Sequence, residues 1–412
     1  MTAQVMCLTS SGGIPLFTRK KGEINAMTFT KMASLNGVQM FLKSQNIKLI
    51  NTLLPDMTVV WKEFADSITL ITIASGTTKL VLDNFLNAVF NSMIFVAGID
   101  EIKNPRNIEK LKKELRNCYC IVDKLLDCLD IGNRTIDIDL INMSSSMICY
   151  EKQLLNNCLD MLMENLDSTY GCILIHGCIA TATQSWLKLD KIEIKLLIMT
   201  VLLDTSCTSC DLPVFLPKMS PNIAFRLVSI MLIKDVHILA LCGPHPELIE
   251  IEKLTIQYWK NHVDTLRIAE KNYPKCLPID LTLDPAILGL LLVDIDIGKF
   301  IVSRNSSQLI NHQIGTHRID ILKTFWYEAV EPFLIDHKNE DFDSDFVVND
   351  EDDQKHHAKE TYWCSEYHKC HALKDNNNIL CVLYTFSIPN HTMRLITSTT
   401  LKTLTTDKQL LW

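Results

Sequence analysis

The sequence predicts an α+β protein of three consecutive domains, each an antiparallel sheet of about five strands packed against helices. Three observations carry this. One order of elements (two strands, a helix, three strands, closing helices) runs through the chain three times, as a repeat of architecture and not of residues. The 412 residues exceed what one hydrophobic core organises, since cores stop growing near roughly 250–300 residues. The composition, 47% hydrophobic and 21% charged, supplies apolar surface for several packed cores.

The first unit is expected over 1–130. Its opening runs QVMCLTS and IPLFTRK are strands joined by Ser11-Gly12-Gly13, where glycine supplies the positive φ of a tight hairpin. A helix follows over 24–44, with Ile24, Met27, Met32, Leu35, Val38 and Phe41 as its apolar face. IKLINTL, TVVWKEF and SITLITIAS read as three strands, being β-branched and aromatic runs between polar turns. In the second of these, Val59, Trp61 and Glu63 alternate with Val60, Lys62 and Phe64, and Ala65-Asp66 makes the turn, so the charges mark a hairpin's outer face and not a catalytic group. Helices are predicted at 77–97 and at 106–129, the latter after the start signal Asn104-Pro105.

The second unit, 148–275, begins with a linking helix at 151–168. CILIHGCIATAT is then a hairpin turning at His176-Gly177, followed by a helix at 191–203, strands at LPVFLP, AFRLVSIML and VHILALC, and a helix at 246–269. The third unit, 280–412, opens with a hairpin turning near Ile297-Gly298 and a helix over 308–336. The acidic run at 338–358 repels itself and lacks a packing face, so it is expected to be a mobile loop. Strands are predicted at TYWCSEYH, ILCVLYTFSI and TMRLITS.

The charge of −8 offers no basic footprint for a phosphate backbone, which argues against nucleic acid as a partner. The first residues carry neither a basic n-region nor a continuous apolar stretch, so no secretory signal is expected. With fifteen cysteines in a large chain, a disulfide framework is not expected either; the thiols read as reduced, cytosolic and mostly buried. Residues 80–99 are the best membrane-span candidate, but Asp83 and three asparagines interrupt them, and they read as an amphipathic helix buried on one side.

No motif names a reaction. His356, His357, Cys364, His368, Cys370 and His371 lie close in sequence, yet they match no zinc signature. On a strand Cys364, His368 and Cys370 would share one face and His371 the other. Cys207-x-x-Cys210 lies in a loop with no second pair to complete a metal site. His176 sits in a two-residue turn where exposure is ordinary. Asp294 and Asp296 share a strand face beside a turn and are more simply solvated than catalytic. Phosphate-cradling glycine motifs are absent, and no cofactor or metal is expected.

Three segments carry a specific resemblance: SLNGVQMF at 34–41, TVVWKEFADSITLI at 58–71, and RNIEKLKKELRNCYCIVD at 106–123. They resemble the Fuzzy family of planar cell polarity effectors. The match covers roughly the first 130 residues and thins beyond to PVFLP, LALCGPHPEL and ILGLLLVDI. It implies three longin-type domains. It also implies a subunit of the ciliogenesis and planar polarity effector complex, with Inturned and the propeller protein Fritz as partners. Through the wider tri-longin family it implies guanine-nucleotide exchange on a Rab-like small GTPase. The implied location is cytoplasmic, at the cytoskeleton and the ciliary basal body, with membrane contact only through the complex.

Such exchange needs no acid, base or metal, only a surface that favours the nucleotide-poor GTPase. Carried onto matching positions, the platform would use Asn36, Gly37, Gln39, Met40 and Phe41 near the end of the first helix, and Trp61 and Phe64 on the hairpin. Phe41 and Trp61 also suit a core at their spacings, and Gly37 suits either close partner approach or close helix packing. The same resemblance fits a scaffold that recruits cargo without exchange activity.

Overall fold

The computed structural model describes residues 1–23, 27–130, 139–203, 208–278, 280–304, 314–335 and 358–406. The acidic run at 338–357, His356, His357 and Cys207 lie outside them. The first unit comprises β1 (Ala3–Thr9), β2 (Pro15–Lys21), α1 (Phe29–Ser44), β3 (Asn51–Leu53), β4 (Thr58–Phe64), β5 (Ile68–Ala74), α2 (Lys79–Ala97), α3 (Ile99–Lys103), α4 (Ile108–Glu114) and α5 (Tyr119–Leu129). After β6 (Ser144–Ser145) and α6 (Lys152–Asn165) come β7 (Tyr170–Ile175), β8 (Cys178–Ala182), α7 (Gln184–Leu187), α8 (Lys191–Leu203), β9 (Ser209–Leu216), β10 (Ser220–Ile233), β11 (Val236–Cys242), α9 (Leu248–Trp259) and α10 (Val263–Glu270). The last unit holds β12 (Ile287–Asp294), β13 (Lys299–Arg304), α11 (Ile314–Phe325), α12 (Glu331–Leu334), β14 (Glu360–Cys364), β15 (His368–Asp375), β16 (Asn378–Thr385) and α13 (Asn390–Thr406).

The repeat is exact in topology. The five-stranded orders are β2-β1-β5-β4-β3, β8-β7-β11-β10-β9 and, within the six-stranded third sheet, β13-β12-β16-β15-β14. Each is antiparallel, and each opens with a hairpin whose two strands later receive the third strand of the following meander beside the first. The turns use left-handed residues as two-residue hairpins require: Ala65 and Asp66 at φ 51° and 55°, His176 and Gly177 at 49° and 78°.

Several expectations are corrected. Of IKLINTL only Asn51–Leu53 is strand, and the helix at 106–129 breaks into α4, a 3₁₀ turn and α5. The helix at 246–269 is two helices, and the one over 308–336 contains a π turn at Trp326–Val330 between α11 and α12. TYWCSEYH is not one strand: β14 ends at Cys364 and β15 begins at His368. TMRLITS is helix. Its β-branched residues suggested strand, but Met393, Thr397, Leu401 and Leu404 recur at helical spacing and form the buried face of α13. The third sheet also has a sixth strand, β6, parallel to β13.

That sixth strand joins two domains. Ser144 N and Ser146 N donate to Gly298 O and Phe300 O at the edge of the third sheet, while Met147 N donates to Ile179 O at the edge of the second. One short segment thereby covers two sheet edges that would otherwise expose unpaired backbone groups. The first and second units interlock through α2, which is buried nearly all round and not on one side as its sequence suggested. One flank lies on the first sheet and the other on β9 and α8. At its end Gly98, at φ 76°, lets Phe215 of β9 approach to where a Cβ would meet the ring at 3.1 Å.

A single apolar core continues through all three units, from Val5 and Phe85 through Leu197 to Phe325 and Trp326. Buried polar groups meet where they join. Asn84 of α2 donates to Glu331 of α12 at 3.0 Å, and Lys195 of α8 pairs with Asp139. Burial pushes the Glu331 carboxyl up to about 7, against the opposing pull of the Lys191 ammonium and the Asn84 amide. A second core lies between the other faces of the second and third sheets and α6, α9, α10 and α13.

Candidate partner-binding surface

Among the described residues, α1 is the element that covers the outer face of the first sheet. The small core beneath contains Met6, Leu8, Met32, Val59, Trp61 and Ile71. Helix α1 begins at Thr28, whose Oγ1 accepts from Lys31 N, a common N-cap arrangement. Its inward residues are Met32, Leu35 and Asn36. Asn36 sits under the first hairpin, where a Cβ on Gly13 would lie 2.3 Å from its Nδ2. At the other end Lys43 Nζ reaches both carboxylate oxygens of Glu63 on β4 at 2.9 and 2.8 Å.

The apolar face read from the sequence is split by the fold. Phe41 is nine residues from Met32, half a turn out of phase at 100° per residue. With Met32 inward Phe41 therefore points to solvent, 66% exposed. Phe29, Val38 and Met40 are exposed with it, as are Ile47, Ile50, Leu53, Leu54 and Met57 between α1 and β4. Lys31, Lys43 and Lys48 lie exposed among them. Sequence reading missed the apolar residues beyond Met40 and Phe41. The available signal was that α1 carries apolar residues on more sides than one sheet contact can use.

The matched positions therefore fall in different places. Met40, Phe41 and Gly37 face outward, and a Cβ on Gly37 would meet nothing within 4 Å, so no close packing among the described residues requires the glycine. Gln39 is half-buried and Asn36 buried, its Nδ2 lying 3.2 Å from Met40 Sδ. Trp61 is 6% exposed, in the core under α1. Phe64 lies on the opposite sheet face, stacked on Phe90 of α2 at 4.4 Å, because residues three apart on a strand face opposite ways. Two polar atoms in this region, Gln39 Oε1 and Trp61 Nε1, are buried with no hydrogen-bond partner among the described residues, so the seat of α1 is incompletely satisfied.

The other candidates resolve into structural roles. His371 Nδ1 lies 2.9 Å from Thr397 Oγ1, which also meets Tyr384 OH at 2.8 Å, while His371 Nε2 faces Glu360 at 3.7 Å. Nucleophile, base and acid appear in order, but Thr397 has no solvent exposure, so this network ties α13 to the sheet. Its burial moves the His371 pKa down. The turn at 365–367 places Cys364 opposite Lys369, hence on the His371 face and not with Cys370 as expected. Asp294 Oδ1 accepts from the backbone of Asp296 and Ile297, holding the turn. His176 is not simply exposed: it stacks on Tyr273 at 4.3 Å and meets Glu270 at 3.3 Å.

The chain matches three family models in order: the first longin domain of FUZ, MON1 and HPS1 over residues 3–125, the second over 166–260 and the third over 286–408. It is 32% identical over 422 residues to the Protein fuzzy homolog of Xenopus tropicalis, covering 98% of both chains. To that of Homo sapiens it is 35% identical over 305 residues, 72% of each, and to that of Rattus norvegicus 34% over 305 residues. The likeness thus extends well past the first 130 residues. With all three domains matched and near-complete alignment to a Fuzzy homolog, the chain belongs to the Fuzzy family of tri-longin proteins.

Proposed function

We propose that this chain is a subunit of a ciliogenesis and planar polarity effector complex. Its first domain pairs through α1 and β3 with a longin domain of Inturned, and the pair binds a Rab-like small GTPase and promotes release of its nucleotide. The propeller protein Fritz completes the assembly, which recruits vesicle and intraflagellar cargo at the basal body. The chain works in the cytoplasm at the cytoskeleton and meets membrane only through the complex.

The observation supporting this reading is the run of exposed apolar residues on α1 and around β3, Phe41 and Leu53 among them at 66% and 72% exposed. Apolar surface rimmed by lysines marks a protein contact more often than a solvated face. Exchange asks no chemistry of the chain. A platform that binds the nucleotide-poor state more tightly shifts the GTPase population toward it by that difference in affinity alone.

Copurification of Inturned with the wild-type chain and with Phe41→Asp tests the pairing. The proposal expects strong loss of Inturned with the variant at unchanged folding. Full retention would remove α1 from the interface.

A further inference from the structure

We propose that Cys178 and Cys276 form a dithiol that a two-electron oxidant, a hydroperoxide, closes to a disulfide, fastening the connector between the second and third domains to the edge of the second sheet. The two residues are 98 apart in sequence, yet their Sγ atoms lie 3.9 Å apart. Each is 5% exposed.

The backbone holds both sides of the pair on one segment. Cys178 opens β8, and the next residue, Ile179, accepts from Met147 N at 3.0 Å. Cys276 O accepts from Ile148 N at 3.0 Å. Adjacent residues of the joining segment thus carry the edge strand and the connector, which fixes their register. A second tie lies beside them, where His176 of the β7–β8 turn stacks on Tyr273 of the connector. Cys276 occupies an irregular turn at φ 56°, so its backbone is not committed to a ladder.

Ser145 Oγ lies 3.2 Å from Cys178 Sγ, placed to donate to a thiolate and so to favour Cys178 as the attacking sulfur. The thiolate attacks one oxygen of the hydroperoxide and breaks the O–O bond, giving a sulfenic acid and, from hydrogen peroxide, hydroxide. Cys276 sulfur then attacks the sulfenic sulfur, the S–O bond breaks, and the Cys276 proton leaves with the departing oxygen as water. Two thiols and one peroxide give one disulfide and two waters. The sulfurs must close from 3.9 Å to about 2.05 Å.

The test is oxidation of the folded full chain with graded hydrogen peroxide, followed by alkylation with N-ethylmaleimide and peptide mass mapping without reduction. The proposal expects a Cys178–Cys276 linked peptide, lighter by two hydrogens, reversed by dithiothreitol and absent when the chain is oxidised in denaturant at the same peroxide. In Cys276→Ser, Cys178 should instead be trapped by dimedone as the sulfenic acid. Recovery of both cysteines alkylated while the exposed Cys120 and Cys364 are oxidised would overturn the proposal, as would pairing of either with another cysteine.

Discussion

At the scale of single residues, Phe41 and Trp61 show how alike two side chains look in sequence and how differently the fold uses them. Both are large and apolar in segments that led to the family. Trp61 lies in the core under α1 and Phe41 on the surface. Trp61→Ala should cost about 3–5 kcal/mol, as large aromatic truncations in cores do, whereas Phe41→Ser should change stability by less than about 0.5 kcal/mol. Urea denaturation of the two variants measures the contrast. Glu331 makes a different prediction. Its folded carboxyl titrates near 7 against an ordinary 4.5, so between these values the unfolded chain releases a proton that the folded chain keeps. Stability therefore falls as pH rises from about 4.5 to 7 and is level above. Glu331→Gln keeps an acceptor for Asn84 and removes the ionisable group. It should be more stable than wild type above pH 7 by up to about 3 kcal/mol and equal to it below 4.5, as read from denaturation curves across that range. Nothing in the sequence near Glu331 indicated its burial, because the partners Asn84 and Lys191 come from other domains.

At the scale of elements, periodicity was legible where one face of a segment is buried and misleading where two are. Helix α2 looked amphipathic with polar interruptions. Its asparagines are accommodated because Asn84 meets Glu331 and Asn91 Nδ2 donates to Asn87 O, while its second apolar flank waits for a strand more than a hundred residues later. The split of α1 into a sheet face and a solvent face was invisible for the related reason that spacing alone cannot say which of two apolar stripes meets the sheet. Strand β6 could not be read at all, since two residues carry no period. Its importance is testable through its neighbour: Ser146 N donates to Phe300 O at 2.7 Å, and Ser146→Pro removes that donor. A loss of about 1–3 kcal/mol is expected from the unpaired buried carbonyl, measured by urea denaturation.

At the scale of the molecule, the threefold order of elements was the most legible feature, because each unit repeats the sequence of strand and helix runs that builds a 2-1-5-4-3 sheet. The way the units sit together was not, since it rests on α2, α8 and the joining segment, contacts that no local pattern announces. The continuous core predicts that the three domains unfold together. Calorimetry should give one transition whose calorimetric and van't Hoff enthalpies agree; three separable transitions would show that the shared core couples them weakly. Among the described residues the first domain exposes apolar side chains on α1 and around β3, and we propose that they serve a GTPase-exchange platform.

The most direct measurement is the release rate of fluorescent GDP from a panel of Rab-family GTPases with this chain, with Inturned and with the copurified pair. The pair should accelerate release from at least one GTPase, and neither subunit alone should. No acceleration of any GTPase by a stable pair would contradict exchange activity and leave the surface as a scaffold for recruitment.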